Sequence, residues 1–146
     1  MNERRNGTEK LRNPVVRHFR DLITYQRARA ACTAVFEMTK TFPKDERFEL
    51  TSQIRRSARA PKAMIATAWA RRRYKAAFIS KLDEALEEAV ETQSWLEDAL
   101  DRRYITKAEF KQHDADWEAI AGMIQGMINR ADTFCRFPPD KDHRTL

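Results

Sequence analysis

Residues 50–101 read LTSQIRRSARAPKAMIATAWARRRYKAAFISKLDEALEEAVETQSWLEDALD. Leu50, Ile54, Ala58, Pro61, Ile65 and Trp69 recur every three or four residues, and Phe78, Leu82, Ala85, Leu86, Ala89, Leu96 and Leu100 keep to one helical face. That spacing lays an apolar stripe along one face of an α-helix, and no period-two alternation competes with it. Two long amphipathic helices are therefore expected, joined at Arg71-Arg72-Arg73. The first begins over Pro43 to Glu46, where proline and acids suit an opening turn. The second runs from about Tyr74 to Asp101. Pro61 removes one backbone hydrogen bond and crowds the preceding turn, at a cost of roughly 3 kcal/mol in an isolated helix. Because the stripe continues in phase past it, the expectation is one helix kinked near residues 57–61.

Outward from this pair, Tyr25, Ala28, Cys32, Val35, Phe36, Thr39 and Phe42 place a preceding helix that starts near Leu22 to Tyr25. It stops before Pro43, since the residue before proline is pushed out of the α region. A following helix opens at Thr106-Lys107-Ala108-Glu109, a capping box with threonine at the N-cap and glutamate three residues on. It continues through Phe110, His113, Trp117, Ile120, Ala121, Ile124, Ile128 and Ala131. Gly122 and Gly126, four apart, suggest a close helix contact. Four helices joined by short turns give an all-α fold, an up-down-up-down antiparallel four-helix bundle over residues 19–134. Residues 1–18 read as a basic flexible tail with Arg4, Arg5, Lys10, Arg12 and Arg17, and residues 135–146 as a C-terminal tail.

The chain has 146 residues, three glycines, five prolines, two cysteines and a net charge of +6. Cys32 and Cys135 do not make a disulfide framework in a helical domain of this size. No stretch approaches the roughly 20 apolar residues of a membrane span, and no secretory signal opens the sequence. The expected location is cytoplasmic, with no membrane partner.

Charge is sorted by segment. Arg55, Arg56, Arg59, Lys62, Arg71, Arg72, Arg73 and Lys75 form a run without an acid. Asp83, Glu84, Glu87, Glu88, Glu91, Glu97, Asp98 and Asp101 form a run without a base. Polyanions are drawn to a basic patch whatever their sequence. Trp69 and Tyr74 interleave with the arginines, and bases beside aromatics suit single-stranded or looped RNA. The eight basic residues are thus the candidate nucleic-acid-binding set. The alternative for Arg55, Arg56 and Arg59 is pairing with acids of the following helix. Arg71 to Lys75 have no acid nearby in sequence.

Other chemistry finds little support. His18, His113 and His143 are far apart, and Glu109 and His113 lack the Glu-x-x-His spacing of di-iron bundles. Nucleophilic triads, phosphate-binding glycine loops and dinucleotide fingerprints are missing. No catalytic residue, metal ligand or cofactor is assigned.

Phe19-Arg20-Asp21-Leu22, FPKDERFELTSQIRRSAR (42–59), IATAWARRRYKAAFISKLDEA (65–85), ETQSWLEDAL (91–100) and Tyr104-Ile105 resemble the four-helix bundle family of 23S ribosomal RNA intervening-sequence proteins. The same fold class holds the accessory variability determinant of diversity-generating retroelements. The resemblance covers roughly residues 19–131, and the FP-x-x-E-R-x-x-L-T-x-Q-I-R-R segment is its most specific part. It implies an up-down bundle, assembly as a homopentamer, no established enzymatic activity and, for the retroelement relatives, binding of nucleic acid and a reverse transcriptase. Where family members commonly carry Asn-Ile-Ala-Glu, this chain has Met64-Ile65-Ala66-Thr67, and its proline at 61 stands one residue early. The expected function is a non-enzymatic oligomeric scaffold that binds nucleic acid, RNA foremost, in a ribonucleoprotein or reverse-transcriptase complex. The alternative is a protein-protein interaction module without nucleic-acid contact.

Overall fold

The computed structural model describes residues 15–136. After a 3-10 turn at Phe19–Asp21 come α1 (Ile23–Thr39), a second 3-10 turn (Lys44–Glu46), α2 (Leu50–Ala70), α3 (Lys75–Asp101), α4 (Lys107–Asn129) and a short α5 (Ala131–Phe134). Each long helix packs on its neighbour in sequence, and α1 closes the ring against α4. The diagonal pairs α1–α3 and α2–α4 make no close backbone approach. This is the arrangement of an up-down-up-down bundle. The tail residues Arg4, Arg5, Lys10 and Arg12, like Pro138-Pro139 and His143, lie outside the described residues.

The core is built from the stripes the sequence displays. Ala28, Val35, Ile54, Ala58, Ile65, Phe78, Leu82, Leu96, Trp117 and Ile124 are fully buried. α2 runs without interruption through Pro61, whose ring is itself fully buried. One polar pair sits inside this apolar seam. Thr92 of α3 and Ser57 of α2 are both buried, with their hydroxyl oxygens 2.9 Å apart. Replacing Thr92 by valine keeps the shape and removes the interhelical bond. It should lower stability by about 1–2 kcal/mol in denaturant unfolding, since Ser57 then loses a partner in a dry site.

Three expectations about the elements need revision. α2 begins at Leu50, not at Pro43 to Glu46, which form a separate 3-10 turn. The reason is Glu46, a buried acid whose Oε2 accepts the Leu50 amide (3.1 Å) and whose Oε1 accepts the Tyr104 hydroxyl (3.0 Å). Its carboxylate reaches forward to satisfy a first-turn donor and so fixes where the α-helix starts. Phe36, counted in the buried stripe of α1, is instead 46% exposed, because Ala31, Val35 and Met38 take the inward positions. Gly122 is exposed, and a Cβ built there would meet nothing within 4 Å. Among the described residues, the close helix contact read from Gly122 and Gly126 is therefore not made.

The capping box at the start of α4 is present as read: Thr106 Oγ1 accepts the Glu109 amide and Glu109 Oε1 accepts the Thr106 amide. Just before it, α3 ends in a Schellman motif, with the Tyr104 amide on the Ala99 carbonyl and the Arg103 amide on that of Leu100. Arg103 occupies the left-handed position at φ 62°, where a Cβ is unfavourable and glycine is usual. Arg103→Gly should raise stability by about 0.5–1 kcal/mol, read as a melting temperature a few degrees higher.

Candidate nucleic-acid interface

Antiparallel packing distributes the eight bases of the run over three places. Arg55, Arg59 and Lys62 line a groove between α1 and α2, together with Cys32, Thr33 and Phe36. Arg56 faces the other way, into the α2–α3 seam. Arg71, Arg72, Arg73 and Lys75 gather at the end of the bundle where α2 hands over to α3.

Among the described residues, Arg56 and Lys75 are paired with carboxylates, and for Arg56 this is the alternative of pairing with the following helix. Arg56 lies 3.2 Å from Glu91 Oε1 and 3.8 Å from Glu88 Oε1. Here the acid-rich helix meets the base-rich one. Lys75 Nζ is paired with Asp132 of α5, and that pairing raises the Lys75 pKa above its ordinary value. Asp132 is 57 residues away along the chain, so no local pattern announces it. The remainder differ in setting. Arg55 donates from Nε to Thr39 Oγ1 (2.7 Å) and lies over the Phe36 ring, 4.5 Å from its centroid. Arg72 lies 3.7 Å over the Trp69 ring and donates to the Trp69 carbonyl oxygen (2.9 Å). Partial burial lowers its pKa from the usual arginine value. The side chains of Arg59, Lys62 and Arg71 make no hydrogen bond or ion pair among the described residues.

Topology adds bases that the run does not contain. The start of α1, the end of α2, the start of α3 and the end of α4 share one end of the bundle. Over residues 15–22, 70–77 and 126–136 this end presents Arg17, Arg20, Arg71, Arg72, Arg73, Lys75, Arg130 and Arg136 against two acids, Asp21 and Asp132. The opposite end, residues 39–50 and 100–109, sets Lys40, Lys44, Arg47, Arg102, Arg103 and Lys107 against Asp45, Glu46, Glu49, Asp101 and Glu109. One pole is strongly cationic and the other nearly balanced. Tyr74, 63% exposed, and the half-buried Trp69 stand at the basic pole. Arg20, Arg130 and Arg136 went unassigned in the sequence because they are scattered over 117 positions and converge through the fold.

The acid side of the seam has its own signature. Glu88 Oε2 is buried and finds no hydrogen-bond partner among the described residues. Burial, then the neighbouring Glu91 carboxylate, push the Glu88 pKa above the ordinary carboxylate value, against the pull of Arg56. An acid whose folded pKa is raised binds more protons folded than unfolded over that interval. Its contribution therefore becomes unfavourable as pH rises from the unfolded pKa through the folded one. Glu88→Gln should raise the melting temperature at pH 7, and the gain should vanish below the ordinary glutamate range. Thermal melts at both pH values check this.

Among the described residues no three His, Cys, Asp or Glu side chains converge on a point that could hold a metal. His113 is half-buried, and burial holds its pKa below the usual histidine value. Within the same residues, no helix is long and apolar enough to cross a membrane.

A family model described as 23S rRNA-intervening sequence protein matches residues 20–126. The chain belongs to the 23S rRNA-intervening sequence protein family. A solved structure from Bacteroides thetaiotaomicron, described as a protein with unknown function from the S23 ribosomal protein family, is 26% identical with a TM-score of 0.67. It covers 73% of this chain and 96% of its own length. No curated protein matches the chain significantly. In this member of the intervening-sequence family, the Glu46 of the FP-x-x-E-R segment is the acid that starts α2 and ties it to Tyr104. Met64 and Thr67 are half-buried. Met64 packs on the core, and Thr67 turns its hydroxyl back to the Ala63 carbonyl. Those two positions thus serve packing and local hydrogen bonding.

Proposed function

We propose that this protein is a non-enzymatic RNA-binding scaffold that works as a homo-oligomer in a ribonucleoprotein, and that the basic pole of the bundle is its principal phosphate-binding surface. The observation that carries this reading is the charge asymmetry between the two ends, with eight bases against two acids at one and near balance at the other. The family name, which refers to 23S rRNA, makes RNA the first polyanion to test. The exposed Arg71 guanidinium and the exposed Tyr74 ring offer a phosphate contact and a stacking surface at the same pole.

RNA affinity measured by fluorescence anisotropy from 50 to 200 mM salt should fall steeply, with a log–log slope proportional to the phosphates contacted. A flat salt dependence, or no measurable binding at 50 mM, would sink the reading. A reverse transcriptase is the protein partner implied by the retroelement resemblance, and a pull-down with and without nuclease tests whether it binds directly or through RNA.

The homo-oligomer, a pentamer by the same resemblance, draws support from apolar surface exposed among the described residues. Ile23 is 55% and Val90 51% exposed. A groove of about 460 Å³ between the start of α1 and α4, lined by Leu22, Ile23, Met123 and Met127 among others, exposes Gly122 on its wall. Light scattering at rising salt reads the assembly. An oligomer held by this apolar surface keeps its mass at 1 M salt, whereas one held by opposite charges dissociates.

A further inference from the structure

The geometry points to the α1–α2 groove as a subsite for one unstacked nucleotide of single-stranded RNA, with the base laid on the Phe36–Arg55 stack and its phosphate held by Arg59 and Lys62. This rests on the RNA-binding reading for its ligand class and on its own geometry for its place. The groove has a volume of about 380 Å³, within the roughly 300–1,000 Å³ of small-ligand sites. Its lining contains three bases and no acid.

Arg55 is held in place before any ligand arrives. Thr39 Oγ1 accepts from Arg55 Nε at 2.7 Å and donates to the Phe36 carbonyl at 2.9 Å, so a single hydroxyl joins guanidinium and ring-bearing residue. The cation lies over the ring at 4.5 Å. Planar guanidinium and aromatic surfaces are what unstacked bases pack against. Phe36 stays 46% exposed although it is large and apolar, and the Arg59 and Lys62 side chains have no partner among the described residues. A duplex keeps its bases stacked inside and cannot present one to the groove, so the subsite selects single strands.

The experiment compares a fluorescent ten-nucleotide single strand with a duplex of the same length. Stacking is worth about 1–3 kcal/mol per base, so Phe36→Ala should weaken single-strand binding by about 5- to 150-fold and leave duplex binding unchanged. Phe36→Tyr, which keeps the ring, should retain wild-type affinity. In a Cys135→Ser background, maleimide labelling of Cys32 should be slowed by the single strand and not by the duplex. Equal losses on both substrates, no loss with Phe36→Ala, or Cys32 labelling at the same rate with and without the single strand would each overturn the subsite. Arg71→Glu in parallel separates this from the broader reading, because it should weaken both substrates. If Arg71→Glu acts and Phe36→Ala does not, the groove proposal fails alone. A wild-type protein that binds neither substrate removes both.

Discussion

Trp117→Ala is expected to cost about 3–5 kcal/mol of folding stability, out of the roughly 5–15 kcal/mol that a domain possesses. Trp117 is wholly buried, the largest side chain in the core, and stands on α4. Truncation removes its transfer free energy and leaves a cavity that four mutually packed helices cannot collapse. The indole Nε1 is also buried and finds no acceptor among the described residues. Trp117→Phe separates the two effects. It gives up part of the apolar area but also deletes an unsatisfied donor, whose burial costs about 1–3 kcal/mol. The phenylalanine variant should therefore fall within about 1.5 kcal/mol of wild type. Urea unfolding measures both variants, with the midpoint shifting and the slope unchanged if the native state keeps its compactness. An alanine variant losing less than about 1 kcal/mol would contradict the packing described for α4.

The second large effect concerns RNA. Arg17, Arg71 and Arg136 are exposed at the basic pole, each on a different segment. Converting all three to glutamate replaces three attractions by three repulsions without touching the core. The salt slope should drop by about one for each phosphate no longer neutralised, so by up to three. Affinity at low salt should fall by two orders of magnitude or more on that basis. Thermal stability should hold, because exposed charges contribute about 0–1 kcal/mol apiece. The matching control reverses Arg102, Arg103 and Lys107 at the balanced end, and there RNA affinity should change little. Equal losses from the two triple variants would mean that net charge, not its placement, governs binding.

Much of the architecture is legible in the residues. The stripes of α2 and α3, the capping box at Thr106 and the breaker at Pro43 place all four long helices, with the start of α2 excepted, since each depends on local spacing. The start of α2 was not legible, because Glu46 acts through Leu50 and through Tyr104, 58 residues away. The exposure of Phe36 was not legible either. A helix with small residues on adjacent faces, such as Ala31 and Ala34, gives periodicity too weak to fix its rotation.

The candidate site was read less well, for a reason of dimension. A run of bases in sequence wraps around a helix at 100° per residue, so Arg55 and Arg56 point to different neighbours. Conversely, the pole gathers Arg20, Arg130 and Arg136 from segments with no common pattern. Trp69, Tyr74 and the arginines between them could be grouped from the sequence because they share a turn.

The Arg56–Glu88–Glu91 cluster has one further consequence. Where Arg56 of α2 meets Glu88 and Glu91 of α3, the chain supplies its own immobile counterions. A polyanion gains little by displacing them, since they are covalently part of the protein and cannot be diluted away. Electrostatic grip is thereby denied to the α2–α3 seam alone and left to the bases that face away from it, Arg59 and Lys62 on the α1 side of α2 and Arg71 at the tip of the hairpin.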